Sequence, residues 1–127
     1  MRSKREEAFR YTFGRPLPAF FKITKIDDDL VTTAEGNAEI IDISPSGLKI
    51  HSQLTIPDTD QKTIEISIRF TLNDEELNYH GIIVWKDRLN HYGIDLLTDE
   101  EEQQNLIEQL KIYSKNELKK GKVDKSM

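Results

Sequence analysis

Regular alternation of apolar and polar side chains over residues 64–72 constrains the fold of this chain more than any other feature. The segment IEISIRFTL carries isoleucine, phenylalanine or leucine at every second position, with polar side chains between them. Because successive side chains of a strand point to opposite faces of a sheet, the pattern predicts a strand with one buried and one solvated face. Asn73 to Glu75 predict a turn, and residues 77–85 predict the return strand of a hairpin.

Four more segments predict strands. They are expected at residues 19–26, 37–43, 48–52 and 92–97, with polar turns and no helix between them. Short strands that follow one another in this way are typical of an antiparallel barrel or sandwich.

A single helix is predicted after the last strand. Thr98 is followed three residues later by Glu101, which predicts a capping box with Thr98 as the N-cap. Acidic residues 99–102 would then lie in the first turn, where the helix dipole favours negative charge. Leu106, Leu110 and Tyr113 form a narrow apolar stripe that is expected to lie against the sheet.

The average charge of the chain conceals two regions of opposite sign. The 127 residues carry a net charge of −5, but residues 1–26 hold seven basic and two acidic side chains, so the rest of the chain carries −10. An acidic body disfavours a general binder of DNA, RNA or membranes, whereas a few arginines in the basic leader suit a small anion. The sequence lacks an apolar run long enough to span a membrane and the apolar stretch of a signal peptide. We therefore expect no membrane insertion and a cytoplasmic location.

Few residues are arranged for catalysis or metal binding. The chain has no cysteine, which excludes thiol chemistry and cysteine-ligated zinc. Its three histidines, His51, His80 and His91, show no zinc-ligand spacing, so structural roles are expected for them. No phosphate-binding loop, dinucleotide fingerprint or nucleophile elbow occurs. We therefore predict no enzyme activity, no catalytic residue, no metal and no cofactor.

Two segments remain that carry binding chemistry. In the turn segment, Asp42 can accept hydrogen bonds, Ser44 can cap the turn or donate to a phosphate, and Gly47 permits positive φ or a close backbone approach to a ligand. In residues 2–10, several arginines can grip a planar anion through bidentate forks. Taken separately, the first segment is also typical of an ordinary strand turn and the second of a solvated basic tail.

Together the two segments resemble the PilZ family. An arginine-rich arm, a strand and a D-x-S-x-x-G turn are followed by I-V-W, Y-G-I-D-L and a C-terminal helix, so that the similarity covers about residues 4–114. The resemblance implies a mainly β fold, a six-stranded antiparallel barrel with a C-terminal helix packed on one end. Many members of the family bind the bacterial second messenger cyclic di-GMP. The parts expected for this chain are a flexible basic arm (1–10), the barrel (11–97), the helix (98–118) and a frayed tail (119–127).

The resemblance also implies a binding site. In the family, arginines of the arm hold guanine edges and phosphates, and the D-x-S-x-x-G turn supplies Asp, Ser and backbone contacts. Asp42, Ser44 and Gly47 match the second motif, and Arg10 matches the closing arginine of the first. Each guanine presents an O6/N7 acceptor pair that an arginine fork matches.

The first motif departs from the family pattern. The spacing R-x-x-x-R places Glu6 where the opening arginine belongs, with Arg5 one residue earlier. A carboxylate there repels phosphate and has no proton to donate to guanine. Either Arg5 reaches the site and joins Arg10, Asp42, Ser44 and Gly47 as a ligand-binding residue, or nucleotide binding is weakened or lost.

Two functional hypotheses follow from this reading. The first is a cyclic di-GMP receptor that changes conformation on ligand capture and regulates an unidentified protein partner. The alternative is a degenerate PilZ domain that binds no nucleotide and acts through protein contacts. An oligonucleotide-binding barrel is less favoured because the acidic body lacks a strand face of aromatic and basic residues. An enzyme is less favoured because no catalytic set is present.

Overall fold

Seven strands and one helix are described, close to where the sequence pattern places them. The computed structural model describes the backbone of residues 10–53 and 62–126 and the side chains of residues 10–53 and 62–118. The elements in chain order are β1 (Tyr11–Ile26), β2 (Asp29–Leu30), β3 (Gly36–Ser44), β4 (Gly47–His51), β5 (Ile64–Leu72), β6 (Glu75–Lys86), β7 (His91–Leu96) and α1 (Glu100–Ser126).

Six of these strands close into an antiparallel barrel. Around the ring their order is β1-β3-β4-β7-β6-β5, and β5 pairs again with β1. The two-residue strand β2 is additional and pairs with the end of β1. Closure gives each ring strand two neighbours and so leaves few backbone groups for edge-to-edge association. The predicted fold, a six-stranded antiparallel barrel with a C-terminal helix, is confirmed.

Strand β1 is twice as long as the segment predicted from the alternation pattern. It begins at Tyr11 rather than at Ala19, and its pairing with β3 is irregular between Thr12 and Leu17. That stretch contains Gly14 and Pro16, which disfavour a strand in a sequence pattern. The irregular pairing accommodates Pro16 because backbone groups at a bulge need not all join the ladder.

The alternating side chains of β5 point into the barrel as predicted. Ile64, Ile66 and Ile68 are fully buried, and Phe70 and Leu72 are almost fully buried. Burying one such side chain contributes about 1.5–3 kcal/mol. Inward-facing residues of the other ring strands complete a single core cluster with the helix.

The β5–β6 hairpin connects the barrel to α1. Its turn consists of Asn73 and Asp74, with φ of 51° and 66°, as in the two-residue turns that suit the twist of antiparallel strands. The amide nitrogen of the Asn73 side chain donates to the main-chain oxygen and to the side-chain oxygen of Gln109, at 2.8 and 2.9 Å. On the buried side of the helix, Leu106 and Leu110 are fully enclosed. The predicted apolar stripe therefore faces the barrel.

The helix extends further along the chain than the sequence predicts. We expected it to end at residue 118 and to be followed by a frayed tail, whereas helical backbone continues to Ser126. The added segment, residues 119–126, holds four lysines, which favour a helix, together with Gly121, which does not.

The capping box at the start of α1 is shifted by one residue from the predicted one. Asp99 is the N-cap: its carboxylate accepts a hydrogen bond from the N–H of Glu102 at 2.8 Å, and the carboxylate of Glu102 accepts one from the N–H of Asp99 at 3.1 Å. Thr98, the predicted N-cap, donates its hydroxyl to the carbonyl oxygen of Pro45 at 3.3 Å instead. Both pairs, Thr98–Glu101 and Asp99–Glu102, have the spacing of a capping box. The hydroxyl of Thr98 bonds to Pro45 and does not cap the helix, whereas Asp99 does.

Loss of this capping box provides a test of the helix start. We expect Asp99→Ala to lower the free energy of unfolding in urea by about 1 kcal/mol, the usual cost of removing an N-cap. Glu101→Ala is the matched control, because Glu101 takes part only in the box predicted from the sequence. A larger loss for Glu101→Ala than for Asp99→Ala would contradict the assignment.

Gly93 allows the single tryptophan of the chain to lie flat against the barrel. Trp85 on β6 pairs with Gly93 on β7, next to a register shift between Ile83 and Trp85. A Cβ added to Gly93 would overlap the indole nitrogen of Trp85, so no other residue fits without moving the ring. The indole nevertheless stays partly in solvent, since Trp85 is 43% exposed.

Substitution of Gly93 tests this contact. We expect Gly93→Ala to displace the indole, shift tryptophan fluorescence to longer wavelength, and lower the free energy of unfolding by about 1–2 kcal/mol, as overpacking usually does. Gly14→Ala is the control, because a Cβ at Gly14 meets nothing within 4 Å. An unchanged emission spectrum in Gly93→Ala would contradict the described packing.

Candidate functional site

Arg10 and Asp42, which belong to different sequence motifs, meet on the outside of the barrel. Thr12 of β1 pairs with Asp42 of β3, so the residue that precedes β1 lies beside the carboxylate. Arg10 donates from Nη1 to Oδ1 of Asp42 at 2.6 Å. The side chain of Asp42 is 15% exposed and that of Arg10 is 59% exposed. A charge-assisted hydrogen bond therefore holds Arg10 while most of its guanidinium remains open to solvent.

The D-x-S-x-x-G motif forms a tight hairpin beside this ion pair. Strand β3 ends at Ser44 and β4 begins at Gly47, so that Pro45 and Ser46 alone connect them. Ser44 and Gly47 pair across the hairpin, and the Ser44 hydroxyl contacts the carbonyl oxygen of Gly47 at 3.4 Å. The Ser44 side chain is buried. This serine therefore supports the turn, as one of its two predicted roles requires.

Gly47 is needed because two strands approach closely, and not because of positive φ. None of the glycines that the structure describes has positive φ. A Cβ on Gly47 would lie 3.2 Å from the main-chain oxygen of Ile94 in β7. The sequence leaves open positive φ or a close backbone approach to a ligand for Gly47; its φ is not positive, and the close approach that the structure shows is to the backbone of β7.

Hydrogen bonds attach the turn of the β3–β4 hairpin to the end of β7 and to Thr98. The carbonyl oxygen of Ser46 accepts a hydrogen bond from the N–H of Leu96 at 2.9 Å. The carbonyl oxygen of Pro45 accepts one from the hydroxyl of Thr98 at 3.3 Å. Both carbonyl groups of the turn are thus bound, one to the last residue of β7 and the other to Thr98, which precedes α1.

Lys49 belongs to the same surface, although the sequence motif does not include it. It pairs with Asp42 across the β3–β4 hairpin, and directly opposed residues of an antiparallel pair project to the same face. Asp42 is therefore flanked by Arg10 from β1 and Lys49 from β4. The sequence could have identified Lys49 as the cross-strand partner of Asp42. Both lie two residues beyond the Ser44–Gly47 pair in the same register.

Arg5, the remaining residue of the predicted site, lies outside the described residues, as does Glu6. The structure therefore brings together Arg10, Asp42, Ser44 and Gly47.

The other residues considered for chemistry lie away from this site. His51 and His91 are at the opposite ends of β4 and β7 from the Gly47–Asp95 pair, and His80 is exposed on β6. Among residues 10–53 and 62–126, no group of three or more histidine, aspartate or glutamate side chains is arranged to hold a metal ion. Within the same ranges, no helix has both the length and the apolar character needed to cross a membrane.

Comparison with known proteins bears on the family and the fold of this chain. A sequence profile described as "PilZ domain" matches residues 4–112. The crystal structure of the PilZ domain of CeSA from a cellulose-synthesizing bacterium is similar, with a TM-score of 0.57 and 13% sequence identity over 87% of this chain and 99% of that chain. At this identity the likeness shows the fold alone. The sequence matches none of the curated proteins with which it was compared.

Proposed function

Because this chain belongs to the PilZ domain family, a family of cyclic di-GMP receptors, we propose that it captures cyclic di-GMP on the outside of the barrel and thereby regulates a protein partner. In this proposal the domain is a receptor or adaptor of the bacterial cytoplasm and not an enzyme. The observation that carries the proposal is the contact between Arg10 and Asp42 beside the Ser44–Gly47 hairpin.

The chemistry of these side chains suits a guanine nucleotide. An arginine has five N–H donors in a planar fork, and the contact with Asp42 engages Arg10 through Nη1. The remaining donors of Arg10 can meet the O6/N7 edge of a guanine or a phosphate. Asp42 can accept from the N–H groups of a guanine, and Lys49 adds a positive charge on the same face. The ion pair thus preorganises both a donor and an acceptor.

A route from the ligand to the helix is also present. Arg10 precedes Tyr11, whose ring meets those of Phe13 and Tyr113 at centroid distances of 4.9 and 5.8 Å. Tyr113 belongs to α1. We propose that a ligand which engages Arg10 and orders the basic arm changes this aromatic contact and the surface offered to a partner.

Calorimetric titration with cyclic di-GMP tests receptor function. At about 100 μM protein we expect measurable heat, and we expect Arg10→Ala and Asp42→Ala each to weaken binding by about tenfold or more, since a hydrogen bond to a charged group is worth about 1.5–3 kcal/mol. Arg88→Ala is the matched control. This exposed arginine lies in the turn between β6 and β7, at the end of β7 that is remote from the Gly47–Asp95 pair. The proposal fails if the wild-type chain gives no heat or if Arg88→Ala weakens binding as much.

Glu6, where the arginine motif differs from the family pattern, allows a second, independent test. We expect Glu6→Arg to tighten cyclic di-GMP binding by about 1–2 kcal/mol, because it replaces a repelling carboxylate by a donor at the motif position. Glu7→Arg changes the net charge equally at a position outside the motif. Equal tightening in both variants would show a general charge effect and contradict a specific role for this position.

A second candidate function is an adaptor that does not bind nucleotide. The acidic Glu6 at an arginine position favours it. Recovery of the same partner by wild type and Asp42→Ala, with and without cyclic di-GMP, is the result expected for this alternative.

A further inference from the structure

His51 and His91 form a close pair at the end of the barrel that the proposed nucleotide site does not use. They are directly opposed on β4 and β7. The N–H of Ser52 donates to the carbonyl oxygen of Asn90, which identifies the histidines as a non-hydrogen-bonded pair. In such pairs the Cα atoms are closest, at about 4.5 Å. The two ring centres are 5.3 Å apart.

The ring of His91 is held in a defined orientation. Its Nδ1 lies 3.0 Å from Oδ2 of Asp87, while Oδ1 of Asp87 accepts hydrogen bonds from the N–H groups of Leu89 and His91. Both oxygens of this carboxylate therefore act as acceptors toward the segment that holds His91. A neutral His91 therefore carries its proton on Nδ1 and presents the lone pair of Nε2. Metal-binding histidines commonly have such a carboxylate behind them.

The spacing of the two rings fits chelation of one ion. Zinc and similar ions lie about 2.0–2.1 Å from an imidazole nitrogen, hence about 3.2 Å from the ring centre, and two ligands at a tetrahedral angle place their ring centres about 5.2 Å apart. The separation of 5.3 Å between His51 and His91 agrees with that value.

The charged side chains around the two histidines neither repel nor attract a cation on balance. Glu39 of β3 is opposed to His51, and Asp87 lies behind His91. Lys49 is two residues from His51 on the same face of β4, and Arg88 follows Asp87 in the β6–β7 turn. These two acids and two bases balance, so affinity must come from coordination by imidazole. His51 also borders a solvent-open cleft of about 510 Å³ together with Glu39.

We propose that His51 and His91 together bind a divalent transition-metal ion of the zinc, nickel or copper class. Because the described residues offer no group of three or more such ligands, water fills the remaining coordination positions and the ion exchanges readily. Protons compete for the imidazole nitrogens, so binding weakens as the solution is acidified. The bound ion links β4 to β7 and stabilises the folded state by mass action. The proposal does not depend on cyclic di-GMP binding.

Titration of the untagged 127-residue chain with NiCl2, ZnCl2 and CuSO4, measured by calorimetry and by thermal unfolding, tests the site. We expect one ion per chain and a higher melting temperature. His51→Gln and His91→Gln should each weaken binding by more than about tenfold, because loss of an outer-shell partner alone costs 10–100-fold. His80→Gln is the matched control, since the chain has three histidines and no cysteine. Wild-type behaviour of His80→Gln is expected.

Two results would overturn the proposal. One is the absence of saturable binding to wild type with all three ions, and the other is equal loss in His80→Gln. To guard against misfolded variants, the histidine ring resonances of the wild-type chain are followed during zinc addition. Joint shifts of His51 and His91, with His80 unchanged and reversal by EDTA, are the supporting result, whereas shifts confined to one ring contradict a shared ion.

Discussion

The structure depends on the double pairing of β1. Residues 19–21 of this strand pair with both β3 and β5, and that shared stretch closes the sheet into a barrel. Closure encloses the apolar face of β5, whose isoleucines would otherwise face water. The pairing with β3 also fixes the start of β1 against the end of β3. Arg10 therefore reaches Asp42 through the β1–β3 register, although 32 residues separate them in sequence.

The candidate site and the helix are fastened to one another at two places. The hairpin between β3 and β4 binds the segment before α1 through the carbonyl oxygens of Pro45 and Ser46. On the other side, Tyr11 next to Arg10 packs edge-on against Tyr113 of the helix. The site thus lies between a contact to the segment before α1 and a contact to α1 itself.

Much of the architecture follows from local sequence. Alternation with a period of two gives the strands because it reflects the geometry of the extended chain itself. The Asn73–Asp74 turn and the D-x-S-x-x-G hairpin depend on residues within a few positions of one another. Strand β1 was predicted only in part, because its prolines and Gly14 hide the alternation that tertiary pairing restores.

The sequence alone determined the antiparallel β architecture and the helix that follows it, and its motifs together with the family resemblance singled out the residues proposed to bind a ligand. The tertiary structure decided which of these residues meet and why. It paired Arg10 with Asp42, assigned Gly47 to a close approach of β7, and moved the helix cap from Thr98 to Asp99. Spacing along the chain encodes only near neighbours, whereas cross-strand register is set by how every strand of a closed barrel fits the others.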